Sequence, residues 1–84
     1  MKKIIEVKED QFENLLGKRI TVFCANYIYT GDFVGINSNY LILDNPAVVY
    51  ETGAFLDKQW KDAQALPKQW NIMLYAIESF GELK

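Results

Sequence analysis

Along this chain apolar side chains recur first at helical and then at strand spacing. Phe12, Leu15 and Leu16 fall on one helical face. Asp10 stands three residues before Glu13, as a capping box requires, and Gly17 suits the residue after a helix end. The spacing therefore predicts a short amphipathic helix over 10–16. From Arg19 the period changes to two: Ile20, Val22 and Cys24 share one face, Thr21 and Phe23 the other, in a run rich in β-branched residues. That run predicts a strand to Ala25, a turn at Asn26-Tyr27, and a second strand over 28–36. Gly31 and Gly35 in that second strand predict a sharp bend, because glycine permits bulges and close backbone approach. Asn37-Ser38-Asn39 is a turn by composition. Tyr40-Leu41-Ile42-Leu43 opens a third strand that extends past Pro46 to Val48-Val49-Tyr50, with Pro46 marking an edge or a bulge. Between 52 and 69 the alternation breaks. Leu56, Trp60 and Ala63 among lysines and aspartates fit either a short helix or an ordered loop ended by Pro67. A strand over 70–77 and a final short one over 78–83 complete the order.

Composition narrows what such a chain does. With 84 residues there is room for one domain, and 50% hydrophobic content is too high for disorder, yet the core of a lone monomer is thin and association would help it. The chain has no histidine and a single cysteine, Cys24. That removes the commonest acid–base residue, a zinc site and an internal disulfide. No carboxylate pair has catalytic spacing, so the expectation is a non-enzyme without metal or cofactor. The lone cysteine points to a reducing compartment, with the cytoplasm as the expected location. The basic, apolar start at Met1 to Ile5 is interrupted by Glu6 and Lys8 before it reaches signal-peptide length, and no apolar run reaches membrane-span length. Nine basic against eleven acidic residues give a net charge of -2, the wrong sign for a non-specific nucleic-acid binder.

The order of elements and two short motifs resemble the Sm/LSm family, including its bacterial branch, Hfq. In the first family motif a strand glycine and a hydrophobic residue lead to a turn opening with aspartate or asparagine, then an apolar strand. The run from Gly31-Asp32-Phe33 through Asn37-Ser38-Asn39 to Tyr40-Leu41-Ile42-Leu43 is similar to it without a gap, with Asn37 at the acidic position. Met73-Leu74-Tyr75-Ala76-Ile77 is similar to the second motif at its Ala-Ile end. The resemblance implies one Sm-like domain over 1–84, mainly β: a short N-terminal helix, then a strongly bent five-stranded antiparallel sheet forming a small open barrel. The first motif and strands one to three occupy 18–51, a variable insertion 52–69, and the second motif 70–84. It also implies a homo-oligomeric ring of six or seven subunits closed by strand pairing, with single-stranded RNA near the pore. Two departures stand out. The family's Lys-His or Arg-Gly pair falls on Leu74-Tyr75, which carries no cation, and the base-stacking aromatic falls on Asn39, with Tyr40 beside it.

The candidate RNA-binding residues are therefore Asn37, Asn39, Tyr40, Leu74 and Tyr75, with amides meeting base edges and a tyrosine stacking. The same asparagines also read as turn formers and the tyrosines as strand-end packing. Candidate subunit-interface residues are Trp70, Ile72, Met73, Ile77 and Phe80. Lys58, Lys61 and Lys68 with Trp60 and Trp70 make a basic-aromatic cluster, which Asp57 and Asp62 dilute to a small positive excess, so that it reads first as a solvated helix face. Cys24 reads as a buried apolar thiol. The leading expectation is an RNA-binding Sm-like ring. The alternative is an Sm-like oligomeric scaffold or protein-interaction module without RNA binding.

Overall fold

A computed structural model describes residues 12–84. It is mainly β and antiparallel, with six strands rather than five: β1 (Arg19–Cys24), β2 (Ile28–Ile36), β3 (Tyr40–Glu51), β4 (Asp62–Ala65), β5 (Trp70–Met73) and β6 (Ile77–Gly81). The expected helix is a single 3₁₀ turn, Glu13–Leu15, among the described residues; Asp10 and Gln11, which would cap and open it, lie outside them. Phe12 and Leu15 still pack against the core, whereas Leu16 turns outward at 42% exposure. Gly17 then adopts φ +85°, and its N–H donates to the Phe33 carbonyl at 2.7 Å, fastening the turn to β2.

β1, β2 and β3 form the expected meander, and the pairing bends twice. Between Thr30/Ala47 and Asp32/Asp44, β3 carries one extra residue, so that Asn45 and Pro46 together face Gly31. Asn45 sits at φ +47°. A Cβ on Gly31 would lie 2.8 Å from the Leu43 Cβ and 3.1 Å from the Asp44 carbonyl, so only glycine fits there. The second irregularity places an extra residue, the exposed Val34, on β2 ahead of Gly35. Gly35 has ordinary room, its nearest neighbour being the Ile42 Cδ1 at 3.6 Å, so of the two glycines Gly31 alone is sterically required.

The segment expected to be a helix or a loop yields a strand. β4 pairs with the second half of β3, from Ala47 to Glu51, while β5 pairs with its first half, from Tyr40 to Leu43. The Leu66 N–H reaches the Pro46 carbonyl at 2.8 Å where these two ladders meet. β6 pairs with β1 at the far side of the sheet. The order is thus β4-β3-β2-β1-β6, with β5 also on β3. Only a 3₁₀ turn, Leu74–Ala76, separates β5 from β6. Three residues spanning opposite margins require the sheet to curl around its core. The curl stays open, because β5 and β6 share no ladder. Ile20, Val22, Phe33, Leu41, Leu43 and Ile72 fill it, drawn from β1, β2, β3 and β5. No helix among the described residues is long and apolar enough to cross a membrane.

Candidate functional site

The turn between β2 and β3 is built by one side chain. Asn37 Oδ1 accepts the N–H groups of Asn39 at 2.8 Å and Tyr40 at 2.9 Å, while the Asn37 N–H donates to the Tyr40 carbonyl at 3.0 Å. Its amide oxygen is therefore committed to the turn. The Leu74 N–H donates to the Asn39 carbonyl at 2.9 Å, which brings the turn beside the Leu74–Ala76 segment. The five candidate RNA-binding residues nevertheless divide. Leu74 packs against the core, Tyr40 is half-buried, Asn37 and Asn39 are exposed in the turn, and Tyr75 projects at 80% exposure.

The candidate interface residues divide as well. Ile72 is a core residue of its own chain at 4% exposure, and Ile77 and Phe80 pack against that core, Phe80 stacking on Phe12 at 4.0 Å. Trp70 and Met73 remain 40% and 43% exposed.

Tyr75, Trp70 and Met73 instead line a cleft of about 230 Å³ with Cys24, Tyr27 and Tyr29. A second cleft of about 170 Å³ adjoins it, lined by Tyr50, Leu66 and Val48 and sharing Tyr27, Tyr29 and Trp70. Those three shared aromatics form a ridge between two hollows, with the Tyr27 and Tyr29 rings 6.3 Å apart and tilted by 59°. Among the described residues, no charged side chain lines either hollow. Burial pushes the Tyr29 phenol up from its ordinary pKa, the adjacent Cys24 adds to this, and the Trp70 indole pulls the other way. Burial likewise raises the Cys24 thiol. Both groups are neutral at physiological pH, so the described residues lining the two hollows are aromatic, hydroxyl-bearing and without charge. A third hollow beside it is lined by Tyr27, Tyr50 and Glu78, the one carboxylate among the described residues that line the three.

Two members of the basic-aromatic cluster, Lys61 and Trp60, have partners among the described residues. Lys61 pairs with Glu51 at 3.4 Å. Trp60 is covered by the Lys84 ammonium, 4.6 Å from its ring centre. That ammonium also donates to the carbonyls of Thr52 and Ala54 at 2.9 Å and of Gln59 at 3.1 Å, and so closes the loop between β3 and β4.

At the β2 corner Arg19 donates to Asp32 Oδ1 at 3.2 Å and to the Asn45 carbonyl at 3.1 Å, and Asn45 Nδ2 donates to Asp32 Oδ2 at 3.0 Å. The Asn45 hydrogen bond holds the Asp32 carboxyl below its usual range, partial burial opposes it, and Arg19 assists. This triad secures the bulge at Asn45-Pro46.

The aromatic ridge is the feature that reading along the sequence misses. Its members come from the β1–β2 turn, β2 and β5. Hairpin register brings one more aromatic to its side, since pairing Ile28 with Val49 places Tyr27 beside Tyr50. Compared with known proteins, the chain matches no family model and no curated sequence.

Proposed function

We propose that this chain is a subunit of an Sm-like assembly, closed head to tail through its two free sheet edges, and that it serves as an interaction scaffold. The observation that carries the assembly is the pair of unpaired margins. Among the described residues, β4 and β5 pair only with β3, and β6 pairs only with β1. Unlike edges on opposite sides of one subunit join heterologously, and such contacts generate rings when the rotation closes. The Asn37 turn lying against Leu74, the obligatory Gly31 and the 3₁₀ link between opposite margins support the Sm-like reading.

The choice of scaffold over RNA binding rests on charge. Phosphate contacts supply most nucleic-acid affinity, and Leu74, at the family's cation position, packs into the core. One observation favours the second reading, single-stranded RNA held by stacking: Tyr75 stands exposed next to the turn. Light scattering of the purified chain tests assembly, with a mass of several subunits expected; a monomer at micromolar concentration overturns the ring. Titration with uridine-rich and adenine-rich RNAs at two salt concentrations separates the activities. The scaffold reading expects no saturable binding. The stacking reading expects weak binding with little salt dependence, reduced by about 1–3 kcal/mol in Tyr75→Ala.

A further inference from the structure

We infer that the carbonyl cage of the β3–β4 loop, which Lys84 fills within a single subunit, is filled by Lys84 of the partner subunit once the assembly closes. The clasp is then exchanged from subunit to subunit. This rests on the head-to-tail reading above and names the contact that locks it.

The cage is a built site for one ammonium group. The carbonyls of Thr52 and Ala54 at 2.9 Å and of Gln59 at 3.1 Å accept from the Lys84 Nζ, and the centre of the Trp60 ring lies 4.6 Å from it. A lysine ammonium has three donors, so these three acceptors saturate it, and the indole face adds a cation–π attraction. The Asp57 N–H closes a turn onto the Ala54 carbonyl at 3.0 Å, so part of the loop's shape is set by its own backbone. The acceptors belong to one stretch of chain and the ammonium to a tail beyond β6. Nothing in the contact requires both to come from the same copy, and exchange of an identical element keeps every bond of this kind.

Strand order decides which copy delivers the ammonium. Among the described residues the sheet ends in β4 on one side and in β6 on the other. Closure lays β6 of the partner subunit along β4. If they run antiparallel, as every pair within this sheet does, the end of one strand meets the start of the other. Setting Asp62 opposite Gly81 of the partner subunit pairs the whole of β4, Asp62–Ala65, with the last four residues of β6. Three residues further along the same register, Gln59, whose carbonyl belongs to the cage, stands opposite Lys84 of the partner subunit. Within one subunit the clasp ties the tail of one margin to the loop of the other. In the ring each margin faces another chain, and the cage in register with each Lys84 is the one beside the β4 that its β6 has joined. β4 gains most from this, because all four of its residues are exposed and it has no buried face to hold it.

The test follows one chain at a time by isotope labelling. ¹⁵N-labelled Lys84→Met chain is refolded from urea together with a threefold excess of unlabelled parent chain, so that most of its neighbours carry the lysine. Amide exchange over residues 52–59 reports the arm, and the β2–β3 hairpin amides show that each chain is folded. Alone, the Lys84→Met arm should exchange at least about tenfold faster than the parent arm. Among parent neighbours about three quarters of its arm signal should return to the parent rate, and labelled parent chain among excess Lys84→Met should lose protection in about the same fraction. A clasp that stays within each chain predicts neither change. A second measurement does not depend on the methionine variant: chains carrying Lys84→Cys are mixed with chains carrying Gln59→Cys, both with Cys24→Ser, and oxidised with diamide, and the register above expects a linked pair of one of each. The inference is overturned if the Lys84→Met arm stays fast among parent neighbours, if the parent arm keeps its protection among Lys84→Met neighbours, or if the mixed cysteine chains do not link. Mass measured on the same samples keeps the two readings apart. A ring whose clasp stays within each chain removes only the exchange, whereas a monomer removes the ring itself and the exchange with it.

Discussion

The β2–β3 hairpin and the arm that follows it, from Thr52 to Ala65, are neighbours on one strand but are held by opposite means. In the hairpin every constraint is local or buried. Asn37 satisfies donors two and three residues away, and Phe33, Leu41 and Leu43 are fully buried. In the arm nothing is buried in that sense. All four residues of β4 are exposed, Leu56 is 99% exposed, and the loop is gathered by Lys84, between 25 and 32 residues away in sequence. The hairpin is secured by packing and steric exclusion, and the arm by hydrogen bonds at the surface. Damage to the first should therefore unfold the molecule, and damage to the second should loosen a part of it.

The largest effect belongs to Gly31. Valine there must displace the Leu43 Cβ or the Asp44 backbone, and overpacking of this kind costs about 1–3 kcal/mol. Thermal melting should show a clear drop in Tm. An unchanged Tm would mean that the bulge opposite Gly31 can relax and that the hairpin is less tightly specified than its contacts imply. Asn37→Ala comes next, removing two hydrogen bonds of the turn at a cost of about 1–2 kcal/mol. Urea unfolding should shift its midpoint without a change in slope.

Lys84→Met sharpens the contrast from the other side. It removes three donor contacts and the charge over Trp60, so amide exchange should accelerate in the arm while the hairpin amides keep their protection. Faster exchange across the whole sheet would show that arm and hairpin open as one unit. The smallest effect is confined to acid. The carboxyl of Asp32 titrates below its usual range in the folded chain, so its contribution is fully present above about pH 4 and is lost as the pH falls through the depressed folded value. Asp32→Asn should thus differ from the parent chain at neutral pH and converge with it in strong acid. A difference that persists at pH 2 would assign the loss to geometry at the corner and not to charge.

What the sequence disclosed follows the same division. β1, β2 and β3 are visible because alternation is strict and turn residues punctuate it, and Pro46 announces the bulge found beside it. β4 is invisible because Asp62-Ala63-Gln64-Ala65 has no buried face and little β preference; it becomes a strand only because β3 presents an edge. The helix expected over 10–16 shrinks, among the described residues, to one turn tied to β2. At the site, the turn-forming role of Asn37 could be read from composition, since an asparagine bonds its own backbone. The aromatic ridge could not, because no two of its three members are joined by a periodicity within one element. Lys84 gave no signal at all: a lone lysine carries no period, and its partners are backbone carbonyls.

That clasp bears on the order in which the molecule comes together during synthesis. A chain emerging from the ribosome can pair β2 with both β1 and β3 as soon as residue 51 is free, since those contacts are close in sequence. The carbonyls of Thr52, Ala54 and Gln59 wait for a side chain that emerges some thirty residues later. Until then the apolar tip at Phe55 and Leu56 lacks this clasp, next to the end of β3 that pairs with β4. The interval between the release of the hairpin and the arrival of residue 84 is the period in which a nascent chain is most open to capture by a neighbour's edge.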